Sequence, residues 1–362
     1  MDVTIATNDL VDEFALADKI INKKPTIPIL SGILLDASEG KLTIAATDLE
    51  VGLTSYRHAS VTVPGRAVVP SRKLFDLVRL LPNTDLRLQA DGAAVVATAP
   101  TFTAKLPGFI IEDYPTMPMC PLNAQRLPAE AVARAIGRVR FAVTGSDTRY
   151  FLAGALFVVA DGRMRMIATD GHRLALAESA CDGTVPPIIL PRKALDALPA
   201  ILAGDAHVEF STTAKHAFFR SGSRILLSRL IDGTFPAYKR VIPKPIDARL
   251  STATGPLMDA LRRAGALAAD ARTRAVRFDL RADALGLDAD SPEGETAEVV
   301  GTTYGGDPIK ISLNVDYVLE FLNAVKTDQV TVEAWDPMRP VVWRTVGGED
   351  TYTYVIMPLR MD

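Results

Sequence analysis

The sequence predicts an α+β chain of three tandem similar domains, each with two helices backed by antiparallel sheet. Three series of self-similarity carry that prediction. Thr47-Asp48 in LTIAATDLEVGL returns as Thr169-Asp170 in MRMIATDGHRLAL, 122 positions later, and Asp290 in LGLDADSPE lies 120 beyond that. VVPSRKLFDLVRLLP resembles IILPRKALDALPAIL, with Lys73 and Lys193 120 apart; ISLNVDYVLEFLNAV follows, with Asn314 123 beyond Pro191. AKLPGFIIEDYP aligns with SRLIDGTFPAYKRVIP, placing Pro236 121 after Pro115. Spacings that agree on one third of 362 residues mark a repeat. The expected domains are 1–121, 122–246 and 247–362, divided in the proline-containing stretches MPMCPLN and IPKPIDA.

Apolar residues at helical spacing mark two helices per third. In chain order these are Leu10, Phe14, Ala17 and Ile21; Leu74, Leu77, Val78 and Leu81; Val132, Ala135, Ile136 and Val139; Leu195, Leu198 and Leu202; Leu257, Leu261 and Ala264; and Val315, Val318, Leu322 and Val325. Alternating runs predict strands between them: Leu42-Ile44-Ala46, Met164-Met166-Ala168, Val208-Phe210 and Val330-Val332. Asp-Gly at 91–92, 161–162 and 232–233 predicts turns. Helices and antiparallel strands in separate runs define the α+β class.

Composition limits the function. With 48% hydrophobic and 23% charged residues the chain has enough apolar surface to fold. Two cysteines, Cys120 and Cys181, exclude a disulfide framework and a Cys-rich zinc site. They fit a reducing compartment, and a cytoplasmic location is the expectation. The longest apolar run, residues 151–160, falls short of the ~20 residues that span a bilayer. Asp2, Asp9, Asp12 and Glu13 interrupt a signal-peptide pattern.

Net charge is −3, but its distribution is uneven. The predicted helices at 71–81, 128–140, 192–203 and 255–274 together carry Arg72, Lys73, Arg79, Arg134, Arg138, Arg140, Arg192, Lys193, Arg262, Arg263, Arg272 and Arg274. Against these stand Asp76, Glu130, Asp196, Asp259 and Asp270. Basic helices in an acidic chain predict a sided field that attracts a polyanion without reading its sequence.

No catalytic constellation is evident. A Gly-x-x-x-x-Gly-Lys phosphate loop is absent, and His58, His172, His207 and His216 lack metal-ligand spacing. No catalytic residue, metal or cofactor is therefore expected. The string most like an active site is Thr-Asp-Gly-His-Arg at 169–173, whose Asp170 and His172 would serve a hydrolase. The first repeat holds Thr-Asp-Leu-Glu in the same place, which favours a turn with His172 and Arg173 at a groove rim.

ATDGHRLA at 168–175, preceded by DTRYFLAGALF at 147–157, resembles the bacterial DNA polymerase sliding clamps, the β subunits of replicative polymerases. KPTIPIL at 24–30, DGTFPAYKRVIPK at 232–244, NVDYVLEFLNAV at 314–325 and YVIMPLR at 354–360 extend that resemblance along the whole chain. The resemblance implies the DNA clamp fold: a head-to-tail homodimer forming a six-domain ring, twelve helices lining its hole. Such a ring encircles duplex DNA, independent of sequence, and tethers the polymerase by topology. It implies no enzymatic activity, and opening by an ATP-using clamp loader.

By correspondence, the DNA contacts are Lys24, Arg72, Lys73, Arg79, Arg149, Tyr150, Arg192 and Lys193. A second implied site is an apolar groove for short linear peptides from polymerases, the clamp loader and repair proteins. Its lining would be Leu152, Thr169, Gly171, His172, Arg173, Leu174, Pro236, Val241, Val355, Ile356, Met357, Pro358, Leu359 and Arg360. Met357 would adapt its shape, and Arg173 or Arg360 would meet polar peptide groups. Val355 and Met357 also read as core residues of a last strand. The implied dimer interface includes Lys73, Leu77, Leu267, Glu293, Glu295 and Glu298. Residues 99–104, which carry basic charge in the family, have none here, so half of the charge complementarity is missing. Phe151 stands where a second tyrosine is common, and Met361 and Asp362 extend beside the groove. A variant clamp with altered groove specificity, serving resistance or plasmid replication, is the alternative reading.

Overall fold

The computed structural model describes residues 1–145, 149–247, 249–268, 274–348 and 350–360. Asp270 and Arg272 of the expected basic helices, part of the DTRYFLAGALF motif, and Met361 and Asp362 lie outside the described residues. All six expected helices form: α1 (Thr7–Ile20), α2 (Ser71–Val78), α3 (Ala129–Val139), α4 (Arg192–Leu202), α5 (Thr254–Ala266) and α6 (Val315–Ala324). Each buries its apolar stripe: Leu10, Phe14 and Ala17 on α1, for example, and Val318 and Leu322 on α6. At the head of α6, Asn314 accepts hydrogen bonds from the Asp316 and Tyr317 N–H groups, satisfying two orphan donors. The expected fifth helix is too long. It stops at Ala266, and Arg274 sits beyond it at φ +42°, its guanidinium on Asp316 of α6.

Strand pairing is antiparallel throughout the described ladders, in three sheets. Five strands run in the order Ser60–Val63, Asp2–Ala6, Asp85–Asp91, Ala94–Ala99 and Phe102–Pro107. Eight follow the order Gln125–Pro128, His207–Thr212, His216–Ser221, Arg224–Arg229, Val51–His58, Lys41–Thr47, Gly32–Ser38 and Gly65–Pro70. Twelve follow the order Val185–Pro191, Gly154–Ala160, Arg163–Thr169, Arg173–Ala180, Thr351–Ile356, Val341–Thr345, Gln329–Glu333, Arg249–Ala253, Gly294–Tyr304, Ala284–Ser291, Ala275–Leu280 and Ile309–Asn314.

The second third is shared between the two larger sheets. Its Arg224–Arg229 strand pairs with Val51–His58, and its Arg173–Ala180 strand pairs with Thr351–Ile356. The chain accordingly forms two compact units, residues 1–133 with 190–230, and residues 134–189 with 231–362. Two of the expected Asp-Gly turns join strands. Asp161 and Gly162, at φ +56° and +69°, make the tight connection between Gly154–Ala160 and Arg163–Thr169. Asp232-Gly233 instead opens an irregular strap, because Ile231 has already bonded back to the Ile189 carbonyl.

A buried carboxylate fixes the first unit. Glu13 on α1 is fully buried and receives the guanidinium groups of Arg57 and Arg224 from neighbouring strands. Burial alone would raise its pKa, but the Arg224 hydrogen bonds and the two positive charges bring it below its ordinary 4.5. A depressed folded pKa contributes stability that is complete above 4.5 and is lost as pH falls through the lower folded value. Glu13→Ala leaves two arginines facing a void, and we expect a loss of about 3–5 kcal/mol in urea unfolding at pH 7. That loss should shrink towards pH 3; an equal loss at both pH values would exclude the ionised carboxylate as its source.

Candidate functional site: an apolar groove beside a Thr-Asp turn

The repeated Thr-Asp pairs build the same turn. Thr169 Oγ1 donates to the Arg173 carbonyl at 2.6 Å and accepts from the Gly171 N–H at 3.1 Å. Asp170 Oδ1 accepts from the N–H groups of His172 and Arg173, both at 3.0 Å. In the first repeat Thr47 Oγ1 bonds to the Val51 carbonyl and the Leu49 N–H, and Asp48 Oδ1 accepts from Glu50 and Val51. Both turns need a left-handed residue at the third position: Gly171 at φ +90° and Leu49 at φ +76°. Short side-chain oxygens that bond the backbone two to four residues on explain why Thr-Asp recurs.

Behind the second turn, Arg173 organises the wall. It is 9% exposed, and its Nε meets Asp170 at 2.9 Å while Nη2 donates to the Phe141 carbonyl at 2.9 Å. Nη1 reaches Glu320 and the Tyr354 hydroxyl, and the guanidinium lies 4.1 Å from the centre of the Tyr317 ring. Burial would lower its pKa, but Tyr354 and Glu320 hold it above the ordinary arginine value. Phe321 of α6 stacks on Tyr354 with 5.2 Å between ring centres, fixing the last strand from beneath.

Ten of the expected residues line one cavity of about 170 Å³: Leu152, Thr169, Gly171, His172, Arg173, Leu174, Pro236, Val241, Val355 and Met357. Leu152, Leu174 and Val355 form a floor no more than 3% exposed. Val241 and Met357 stand at the mouth, 44% and 40% exposed. The last strand is held there by the Met357 N–H, which donates to the His172 carbonyl at 2.9 Å. The volume suits one or two apolar side chains rather than a drug-sized ligand, whose pockets measure ~300–1,000 Å³.

Four expected lining residues are elsewhere. Ile356 is fully buried on the opposite face of its strand from Val355, as the two-residue alternation of a strand requires. Pro358, Leu359 and Arg360 follow the strand away from the cavity, where the Leu359 N–H bonds to the Ser312 carbonyl. Two residues join the lining instead: Tyr238, on the same segment as Pro236, and Arg149. Arg149, expected at DNA, has its guanidinium against Gly171 and bonds to the Asp170 carbonyl at 3.5 Å. Arg173 is itself held on every side, so it frames the groove rather than waiting to meet peptide groups. The hydrolase pairing also fails on geometry: Asp170 takes the backbone N–H of His172 and the Arg173 guanidinium.

The other expected contacts divide by their surroundings. Lys24, Arg72 and Lys73 are exposed, with no side-chain partner among the described residues, and Tyr150 is 60% exposed beside Phe151. Arg79 pairs with Asp76 at 2.9 Å, and Arg192 lies 3.9 Å from Asp196. Lys193 is engaged by Asp48 and by Asn22. Arg134 and Arg138 of α3 both converge on Asp350, which removes them from any free basic face. Among the interface candidates, Glu293 and Glu295 are exposed, and Leu77 and Leu267 are half-buried. Glu298 forms a two-armed pair with Arg263 at 2.7 and 2.8 Å, so its charge is answered within the chain.

The first Thr-Asp turn borders a cavity of only about 70 Å³, lined by Thr47, Leu49, Pro115 and Met117 among others. Gly52 follows that turn as Leu174 follows the second, and Met117 Sδ lies 2.8 Å from where a Cβ on Gly52 would be. Met117 thus fills the first copy of the groove.

Among the described residues no helix is long and apolar enough to cross a membrane, and no cluster of three metal-ligating side chains occurs. Residues 1–118 match the N-terminal domain model of the DNA polymerase III beta subunit, residues 126–237 its central domain and residues 239–360 its C-terminal domain. Three consecutive matches over three like modules define a replication processivity factor. The beta sliding clamps of Escherichia coli (strain K12) and Caulobacter vibrioides are 31% and 32% identical, each aligned over 100% of both chains. The crystal structure of the Pseudomonas aeruginosa sliding clamp bound to griselimycin superposes with a TM-score of 0.94 at 29% identity, covering 100% of both chains. The chain belongs to the DNA polymerase III beta subunit family, the beta sliding clamps, and has their three-domain α+β clamp fold. Its function is that family's: a non-catalytic clamp in DNA replication, with DNA and polymerase as its partners.

Proposed function

We propose that the chain acts as a homodimeric ring around duplex DNA and that the groove at Leu174 and Met357 captures short linear peptides of polymerases, the clamp loader and repair proteins. The observation that carries the groove assignment is convergence. Three stretches far apart in sequence, around residues 152–174, 236–241 and 355–357, meet around one apolar cavity with a deep floor and an adaptable methionine at its mouth. That is the form of a site for an apolar anchor residue. A framing arginine and a Thr-Asp turn hold the walls in place before any peptide arrives, which lowers the ordering cost of binding.

For DNA the reading rests most on Lys24, Arg72 and Lys73, whose charges are unanswered among the described residues; Arg79, Arg192 and Tyr150 support them, and Lys193 contributes less because Asp48 holds it. Dimerisation would use Lys73, Leu77, Leu267, Glu293 and Glu295, with Glu298 weakened by Arg263. Missing basic charge at 99–104 and this internal pair both lower the electrostatic share of dimer strength. A variant clamp with altered specificity differs only in which peptides it prefers, and a comparison of client peptides separates the two.

Retention tests the ring. After loading by an ATP-using clamp loader, the protein should stay on nicked circular DNA and leave when the circle is cut. Lys24→Ala with Arg72→Ala and Lys73→Ala should load more slowly, with the slope of log affinity against log salt reduced by about 2–3. Equal retention on linear and circular DNA would rule out topological tethering.

A further inference from the structure

We propose that the first repeat carries its own apolar socket, a site for one unbranched apolar side chain, which Met117 occupies as a built-in ligand. The inference goes beyond the peptide reading at Leu174, and the socket is built from residues of the first unit alone. The two sites share a frame. In the second repeat Leu174 faces Val355 across its strand pair, and the Met357 N–H bonds to the His172 carbonyl at 2.9 Å. In the first, Gly52, 122 positions before Leu174, faces Leu227 across its pair. There the Arg229 N–H bonds to the Glu50 carbonyl at 2.7 Å. Residues 115–118 line the first cavity as Pro236 and Tyr238 line the second. What differs is the floor. Gly52 has no side chain where Leu174 has one, and a Cβ there would stand 2.8 Å from Met117 Sδ and 3.6 Å from Leu227 Cδ2. The Met117 thioether enters the notch that the glycine leaves open.

Little else seats this stretch of chain. On one side Tyr114 is buried and its hydroxyl donates to the Ala45 carbonyl at 3.1 Å; on the other Cys120 Sγ lies 3.6 Å from Ser211 Oγ. Between them, residues 115–119 make no hydrogen bond among the described residues. Thr116, Pro118 and Met119 are exposed, and Met117 is half-buried. The Met117 side chain is therefore what holds the segment against the Thr47 turn. Its chemistry names the ligand class, because an unbranched, polarisable side chain adapts to a narrow and irregular gap. Tethering keeps competitors out: a short connector gives its own side chain an effective concentration in the millimolar range, about what a weak free ligand would have to match.

The test uses the full chain and a free peptide with the sequence of residues 114–119, Tyr-Pro-Thr-Met-Pro-Met, in which a diazirine analogue of methionine stands at the first Met. Irradiation followed by mass mapping reads which residues the probe touches. In Met117→Ala, labelling around Leu49, Gly52 and Leu227 should rise about tenfold or more over the parent at the same peptide concentration. Met117→Lys, whose charged end leaves the notch for water, should label as Met117→Ala does. Met117→Leu, which refills the notch with an apolar side chain, should stay near the parent's low value. Urea midpoints of all three show that the labelled protein is folded. Equal labelling at Leu49 and Leu227 in the parent and in Met117→Ala, or none in either, overturns the inference. So does loss of the fold in both Met117→Ala and Met117→Lys, which would make Met117 a core residue and nothing more. Labelling around Leu174 and Met357 reports the other groove, so failure of the peptide reading there is seen separately.

Discussion

Met357→Ala combined with Leu174→Ala should weaken an anchor peptide about 100-fold or more, as expected when two anchoring surfaces worth ~1–2 kcal/mol each or above are truncated together. Leu174 is 3% exposed and forms floor; Met357 is 40% exposed and closes the mouth. Their truncation removes both surfaces an inserted side chain would touch. Leu174→Ala alone also leaves a cavity under the sheet and should lower stability by about 2–4 kcal/mol. Met357→Ala should leave unfolding unchanged and still weaken the peptide about tenfold, which separates loss of binding from loss of fold. Isothermal titration with the anchor peptide, alongside sedimentation to confirm an unchanged mass, reads both. Undiminished affinity in the double variant would remove the groove assignment.

Arg173→Met is expected to cost about 3–5 kcal/mol in urea unfolding, the largest single effect near the site. Methionine matches much of the bulk but supplies no donors. Asp170 and the Phe141 carbonyl would each lose a partner in a place water enters poorly, while Glu320, whose side chain is 42% exposed, would lose its pair at less cost. Arg173→Lys should recover little, because one ammonium cannot reproduce a fork that bonds Asp170, Phe141 and Glu320 at once. Loss of the wall should also weaken peptide binding. A variant with the parent's urea midpoint would show that the buried network is not what holds the turn.

Much of this was legible in the sequence because it rests on local rules. Helical stripes such as Leu10, Phe14 and Ala17 need only period and burial to declare themselves, and Thr-Asp followed by glycine announces its turn through side-chain geometry. Strand partners were not legible. Nothing in Arg224–Arg229 says that it will pair with Val51–His58 across the repeats, and that pairing is what merges thirds into two larger sheets. Fine placement in the groove failed for the same reason. A run such as YVIMPLR reads as one apolar patch, yet alternation sends Val355 to the cavity and Ile356 to the core. Arginines were the other difficulty: sequence counts Arg134 and Arg138 as free positive charge, whereas Asp350, more than 200 residues away in the chain, claims both.

Met117 over Gly52 also limits traffic. Three related modules could in principle offer several berths, but the first is stoppered by the chain itself, while an open mooring stands at Leu174. On the proposed reading the first two modules of a subunit then host one visitor between them. Proteins that bind at Leu174 must take turns there, and their order is set by relative affinity and local abundance.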